Sequence, residues 1–209
     1  MRIGFAIPQY GALARPDSLR TAALHFEKAG ADSLWTSERL LAPVTLTVPY
    51  PASPNGQLPA SASQGLRPLE ALSFVAAHTE RVALGTSVLV VHLYNPVRLA
   101  LSVATLDVLS GGRVRLGLGN GWMPEEFEAV GVPMRDIGTR ADEYIDAMRT
   151  IWSQSPASFH GQHLQLAPSR FELPPVQKPH PPIYLAAYSP GAWPTAGIPP
   201  VSRRKSWPP

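Results

Sequence analysis

The feature that most limits what this chain can become is its repeated pattern of short, apolar, β-branched runs separated by segments of helical period. Arg2–Ile7 (RIGFAI) reads as a buried strand that stops at Pro8. Leu19, Ala22, Ala23, Phe26 and Ala29 recur at helical spacing behind Asp17 and Ser18, which are cap candidates, and Gly30 supplies a left-handed stop. Ser33–Thr36 is a second strand. Strand–helix–strand units of this kind almost always build a parallel sheet with right-handed crossovers.

The alternation resumes after a long interruption. Pro68–Thr79 predicts a helix and Val82–Val91 a single β-rich run. Asn95 and Pro96 form a cap followed by proline at the first helical position, with Val97, Leu101, Ala104, Thr105 and Val108 as the expected buried stripe and Gly111-Gly112 as the stop. Arg113–Leu118 (RVRLGL) is a fourth strand; a helix through Arg140–Trp152, a hairpin at FHGQHLQL and a strand at Ile183–Ala187 (IYLAA) follow. Strands alternating with helices, with no clear reversal point, give an α/β chain of the (β/α)₈ TIM-barrel type rather than a doubly wound sheet. About five βα units are countable in the 209 residues, whereas a closed barrel takes eight strands and roughly 250 residues. The barrel is therefore expected to be incomplete.

The expected organisation is one partial barrel over residues 1–192 and an irregular, Pro-rich, disordered tail over 193–209. After Tyr188 the chain runs SPGAWPTAGIPPVSRRKSWPP, without an acidic residue or apolar periodicity. A frameshift or premature stop near Ala192 is one reading of that change.

Composition removes several classes of function. Cysteine is absent, which excludes disulfides, thiolate nucleophiles and Cys-ligated metal sites. The net charge of +3 is not gathered into a Lys/Arg stripe, so no nucleic-acid partner is expected. No segment reaches membrane-spanning length, and the MRIGFAIPQYG start lacks the apolar core of a signal peptide. A cytoplasmic protein with no membrane partner is expected.

In a parallel barrel the working loops follow the strands at their carboxyl ends. Those positions hold Gln9 and Tyr10, Glu38 and Arg39, Ser87 to His92, Asn120 to Trp122, and Tyr188. The set contains amides, a carboxylate, a guanidinium and aromatic rings, with no Ser-His-Asp arrangement. Such a mouth suits holding a flat cofactor that performs the difficult chemistry itself. The segment Arg39–Arg67 is rich in Pro, Ser and Gly and too long for a routine connection, which marks it as functional or disordered.

GLGNGWMPEEF invites a dinucleotide reading and does not support it. Gly117, Gly119 and Gly121 are spaced G-x-G-x-G, and Glu125 and Glu126 open the next helix, where they would repel a pyrophosphate. Two readings stay open: a tight structural turn, or glycines that let a planar ring approach the backbone. Glu38 and Arg39 likewise read either as a surface ion pair or as site residues. His160 and His163 have metal-like spacing but flank a hairpin turn without a third ligand, so no metal is assigned. Asp107 and Arg113 bracket a helix end and are expected to stabilise it.

The run NPVRLALSVATLDVLSGGRVRLGLGNGWMPEEFEAVGVP, with RADEYIDAMRTIW after it, resembles the luciferase-like monooxygenase superfamily, in particular the branch that uses the deazaflavin coenzyme F420. IGFAIPQYG, GADSLWTSERLL, VALGTSVLV, FHGQHLQL and PPIYLAAYSPGA fit in order, so the resemblance runs from Met1 to about Ala192. It implies a (β/α)₈ barrel and two-electron chemistry on F420, with FMN as the alternative, acting on a small-molecule substrate.

In that branch an acidic residue followed by His ends the second strand; here the pair is Glu38-Arg39, so the acid is kept and the proton-donating His is replaced. A strained, sometimes cis, peptide is expected near Thr86–Val88. The resulting assignment is Glu38 and Arg39 as catalytic residues and Gln9, Thr86, Ser87, Val88, Asn120, Gly121, Trp122 and Tyr188 as cofactor-binding residues. The family's later strands usually help to grip the cofactor phosphate, so no residue here is assigned that task. An exposed barrel edge makes a homodimer an expectation. A shortened, non-catalytic flavin binder and a non-functional gene fragment are the alternative readings.

Overall fold

The computed structural model describes residues 1–186; Ala187, Tyr188 and the expected tail over 193–209 lie outside the described residues. The elements run β1 (Gly4–Ala6), α1 (Pro16–Lys28), β2 (Ser33–Thr36), α2 (Pro68–Ala76), β3 (Ala83–Thr86), β4 (Leu89–Val90), α3 (Pro96–Leu109) and β5 (Val114–Gly119). They continue with α4 (Pro124–Ala129), α5 (Ile137–Ser153), β6 (Ala157–His160), β7 (Gln165–Ser169) and β8 (Ile183–Leu185). Between residues 36 and 68 the one regular element is the 3₁₀ turn Ala60–Ser63.

β1, β2 and β3 pair in parallel in chain order, with Phe5 opposite Leu34 and Leu34 opposite Leu84. The run expected at Val82–Val91 is two strands rather than one. The chain breaks at Ser87-Val88, a cis peptide, and both pieces then pair with β5: Leu84 opposite Val114, and Leu89 opposite Leu118. β3 and β4 are thus one interrupted strand. β8 lies parallel on the other side of β5, with Leu116 opposite Ile183. Helices alternate with these strands, and β6 and β7 form the expected antiparallel hairpin.

The apolar faces explain the packing. Leu34, Leu84, Leu116 and Leu118 of the sheet are buried against Leu72 and Val75 of α2, Leu99 and Val103 of α3, and Met148 of α5. The stripe expected on α3 is corrected. Leu101, Thr105 and Val108 face outward, and the buried set is Pro96, Leu99, Ala100, Val103, Ala104, Leu106 and Asp107. The physical reason is that α3 packs against α2 and α5 as well as the sheet, which turns its buried arc away from a single-faced pattern. Its N-terminus follows expectation: Asn95 accepts from Val97 N–H at 3.0 Å and Arg98 N–H at 3.2 Å, with Pro96 next.

The cap of α1 is also corrected. Arg15 occupies the cap position without a side-chain bond, Pro16 begins the helix, and Asp17 pairs with Arg20 at 2.8 Å. Gly30 does adopt the left-handed conformation, with φ of 87°.

Carboxylates fasten several connections. Glu27 accepts from the backbone amides of Glu80, Arg81 and Val82, and Glu143 from those of Gln162, His163 and Leu164. Asp107 and Arg113 do not pair with each other. Asp107 holds Gln177, whereas Arg113 binds the carbonyls of Ala76, Thr79, Val82 and Ser110 and so closes the end of α2.

Candidate active site

The carboxyl ends of the strands converge on a cleft of about 440 Å³, lined by Ala6, Ile7, Gln9, Tyr10, Trp35, Thr36, Ser37 and Ser87. β1, β2 and the β3–β4 break supply all of these residues. The wall is aromatic and apolar with a few neutral polar groups, and the volume falls within the roughly 300–1,000 Å³ of small-molecule sites.

Gln9 is buried and fully bonded. Its Nε2 donates to the carbonyls of Ser37 at 2.8 Å and Leu66 at 3.1 Å, and its Oε1 accepts from Ser37 N–H at 2.6 Å. It thus joins the ends of β1 and β2 to the far end of the long loop. Tyr10 donates its hydroxyl to the Ser37 carbonyl at 3.1 Å, and the Ser37 hydroxyl leans on Tyr10 at 3.4 Å. Burial raises the Tyr10 hydroxyl above its ordinary value, against the opposing pull of Ser37 and Arg39, so it is protonated near neutral pH. Trp35 lies where the strands carry glycine: a Cβ on Gly85 would come within 2.3 Å of its ring.

Glu38 ends β2 with no exposed side-chain surface, its carboxylate being 0% exposed. Oε1 accepts from Arg67 Nη2 at 2.9 Å and from the Tyr94 hydroxyl, and Oε2 accepts from Val90 N–H at 2.7 Å. Burial raises its carboxyl above the ordinary value, while Tyr94, Val90 and Arg67 act in the opposite sense.

Arg39 turns the other way. It pairs with Glu126 at 3.1 Å and lies 5.4 Å from the centre of the Trp122 ring. Glu126 also accepts from Leu40 N–H at 2.8 Å, and Glu125 from Thr47 N–H at 2.6 Å. The two acids that open α4 therefore strap down the start of the 39–67 segment. Gln9 and Arg67 hold its end, Arg67 donating to the Arg39 carbonyl at 3.1 Å. Tyr50 in the middle packs on Trp122 at 5.6 Å.

The glycines of the turn are closely approached by their neighbours. A Cβ on Gly117 would lie 1.9 Å from the Thr86 carbonyl oxygen, one on Gly119 2.8 Å from a Val88 methyl, and one on Gly121 2.7 Å from a Val90 methyl. These glycines admit the interrupted strand next to β5, which is the structural-turn reading.

Of the residues singled out in the sequence, Gln9, Tyr10 and Ser87 line the cleft. Thr86 is buried behind it, bonded to Gly117, and Val88 packs on β5. Glu38 and Arg39 are engaged as described. Asn120, Gly121 and Trp122 are half-buried in the turn between β5 and α4, and Tyr188 lies outside the described residues. Sequence reasoning passed over Trp35, Thr36, Ser37, Arg67 and Tyr94, and read Glu126 only as an acid that opens the helix. Thr36 ends β2 and Ser37 links it to the Glu38-Arg39 pair, a position that marks them; Arg67 and Tyr94 carry no comparable local signal. Among the described residues no group of His, Asp or Glu is arranged to hold a metal ion, and no helix is long and apolar enough to cross a membrane.

Comparison with known proteins decides the family. The model of the luciferase-like monooxygenases matches residues 2–197. The chain belongs to this family.

This luciferase-like chain is 35% identical over 186 residues to an F420-dependent glucose-6-phosphate dehydrogenase of Kineococcus radiotolerans, covering 87% of its own length and 50% of the relative's. It is 33% identical over 99 residues to an FMNH₂-dependent dimethylsulfone monooxygenase of Pseudomonas putida, covering 46% of its own length and 27% of that protein's. In fold it resembles the monooxygenase RslO1 from Streptomyces bottropensis, with a TM-score of 0.76 at 24% identity, covering 94% of this chain and 56% of that one. The chain thus spans about half the length of the Kineococcus dehydrogenase and of RslO1. The parallel strands β1 to β5 and β8 belong to the wall of a (β/α)₈ barrel, incomplete over residues 1–186.

Proposed function

We propose that this chain carries the cofactor-receiving half of a cytoplasmic F420- or FMN-dependent oxidoreductase, with the cofactor ring lying in the cleft between Gln9, Tyr10, Trp35 and Ser87. The observation that carries the reading is the cleft itself. It is sited at the carboxyl ends of the strands, is mostly apolar and aromatic, and is wide enough for a flat ring. Relatives that use F420 and reduced FMN support both cofactors.

When bound, such a ring supplies two-electron chemistry, as hydride transfer or, in a reduced flavin, reaction with oxygen. The chain's own residues shape the space. Trp35 and Ile7 give it an apolar wall that excludes water, and Ser87 adds a small polar residue to the lining. Tyr10, held protonated, has its hydroxyl at the cleft and is the one ionisable group in the lining. The charges nearest the mouth are paired, Glu38 with Arg67 and Arg39 with Glu126.

The test is a fluorescence titration of F420 and of FMN with the folded protein. A saturable change with one of them supports the reading; no change with either, oxidised or reduced, contradicts it.

A further inference from the structure

Four chain segments meet at one carboxylate. Glu38 stands at the end of β2, and its partners are Val90 in β4, Tyr94 before α3 and Arg67 before α2. All three partners are donors and both oxygens are occupied, with no side-chain surface left exposed. A ligand in the cleft finds no free face on it.

What the carboxylate holds is the break between β3 and β4. Ser87 N–H donates to the Thr36 carbonyl at 2.6 Å and Val90 N–H to Glu38 at 2.7 Å, so both ends of the break are bonded to the end of β2. From the β5 side, Val88 fits over the backbones of Gly117 and Gly119. Ser87, exposed at the tip, is the residue of this break that lines the cleft.

We propose that Glu38, supported by Arg67 and Tyr94, is a positioning residue: it fixes the 87–90 break, and through it Ser87, without touching the ring. The ring contact rests on the proposed function above; the anchoring stands on the chain alone. The chemistry explains why an acid is needed. A carboxylate accepts from all three donors, whereas the isosteric amide of Gln would turn an NH₂ group against either Val90 N–H or the Arg67 and Tyr94 donors. Arg67 is a second support rather than a site cation, since it is committed to Glu38 and to the Arg39 carbonyl.

The test compares wild type, Glu38→Gln and Tyr94→Phe by amide hydrogen exchange over residues 87–94, and by dissociation constants and bound-state absorption spectra with FMN and F420. Exchange across 87–94 is expected to quicken in both variants by about tenfold, the size of one charge-assisted hydrogen bond, with α5 unchanged. Both variants weaken binding of whichever cofactor the wild type takes and leave its bound spectrum unshifted. Unchanged exchange at 87–94 in both variants overturns the proposal. So does a spectral shift in Glu38→Gln combined with wild-type binding by Tyr94→Phe, which would mean direct contact between Glu38 and the ring. Tyr94→Phe, lacking only a hydroxyl, carries the test if Glu38→Gln fails to fold. If the wild type binds neither cofactor, the proposed function fails while the exchange measurement still decides the anchor.

Discussion

Thr86 and Gly117 exchange two hydrogen bonds across the sheet: the Thr86 hydroxyl donates to the Gly117 carbonyl at 2.8 Å, and Gly117 N–H donates to the same hydroxyl at 2.9 Å. The Thr86 carbonyl lies where a Gly117 Cβ would stand, 1.9 Å away. Gly117→Ala is expected to cost at least about 2 kcal/mol, since backbone rather than a flexible side chain must move. Thr86→Val is expected to cost about 1–3 kcal/mol through the unpaired Gly117 groups. Chemical unfolding measures both, and a Gly117→Ala variant as stable as wild type contradicts this packing.

Glu126 is expected to control the long loop. Its side chain is 2% exposed and that of Arg39 12%, so Glu126→Ala leaves a nearly buried guanidinium without its partner. A loss of about 3–5 kcal/mol is the usual result of breaking such a pair. The 40–50 stretch should also become the first site of limited proteolysis, because Arg39 and Leu40 lose their shared anchor. A wild-type cleavage pattern would show that Glu125 and Gln9 hold the loop unaided.

Arg113 closes α2 from the end of α3 with bonds to Ala76, Thr79, Val82 and Ser110. Arg113→Lys keeps a charge but cannot reproduce the planar fork. A lower melting temperature, with faster exchange at residues 76–82, is the expected outcome.

His92 sets part of the acid-side stability. It is 1% exposed between Phe127 and Tyr144, with the Asn120 side chain and the Ile137 backbone near its ring. Burial first, and then the Arg140 charge, outweigh the opposing pull of Asn120 and Ile137 and hold it down to about 4 from an ordinary value of 6.5. Between those values the unfolded chain binds more protons, so the His92 contribution is complete above pH 6.5 and is lost as pH falls toward about 4. His92→Phe is expected to flatten stability across that window, and an unchanged slope in chemical unfolding would contradict it.

The parts of the fold legible in the sequence are those dictated locally. Gly30 ends α1 and Asn95-Pro96 begins α3 because backbone conformation and capping are decided by a few adjacent residues. The outward turn of Leu101 and Val108 was not legible, because it depends on α2 and α5 both packing against α3. The break at Ser87-Val88 hides inside a continuous β-branched run, although the family resemblance points to Thr86–Val88. At the site, strand ends identified Gln9, Glu38 and Ser87. Their roles depend on residues far along the chain: Leu66 for Gln9, and Arg67 and Tyr94 for Glu38. Glu125 and Glu126 read as acids that would repel a pyrophosphate at the helix start, and the structure turns both toward loop amides.

The most direct test of the account is the dissociation constant of F420 and of FMN for wild type and for Ala6→Trp, which places a second indole in the cleft beside Trp35. Wild type is expected to bind one of the two, and the variant, with an unchanged melting temperature, to bind it at least about tenfold more weakly, a loss of about 1.4 kcal/mol. Equal binding by both proteins would place the cofactor elsewhere and contradict the central claim.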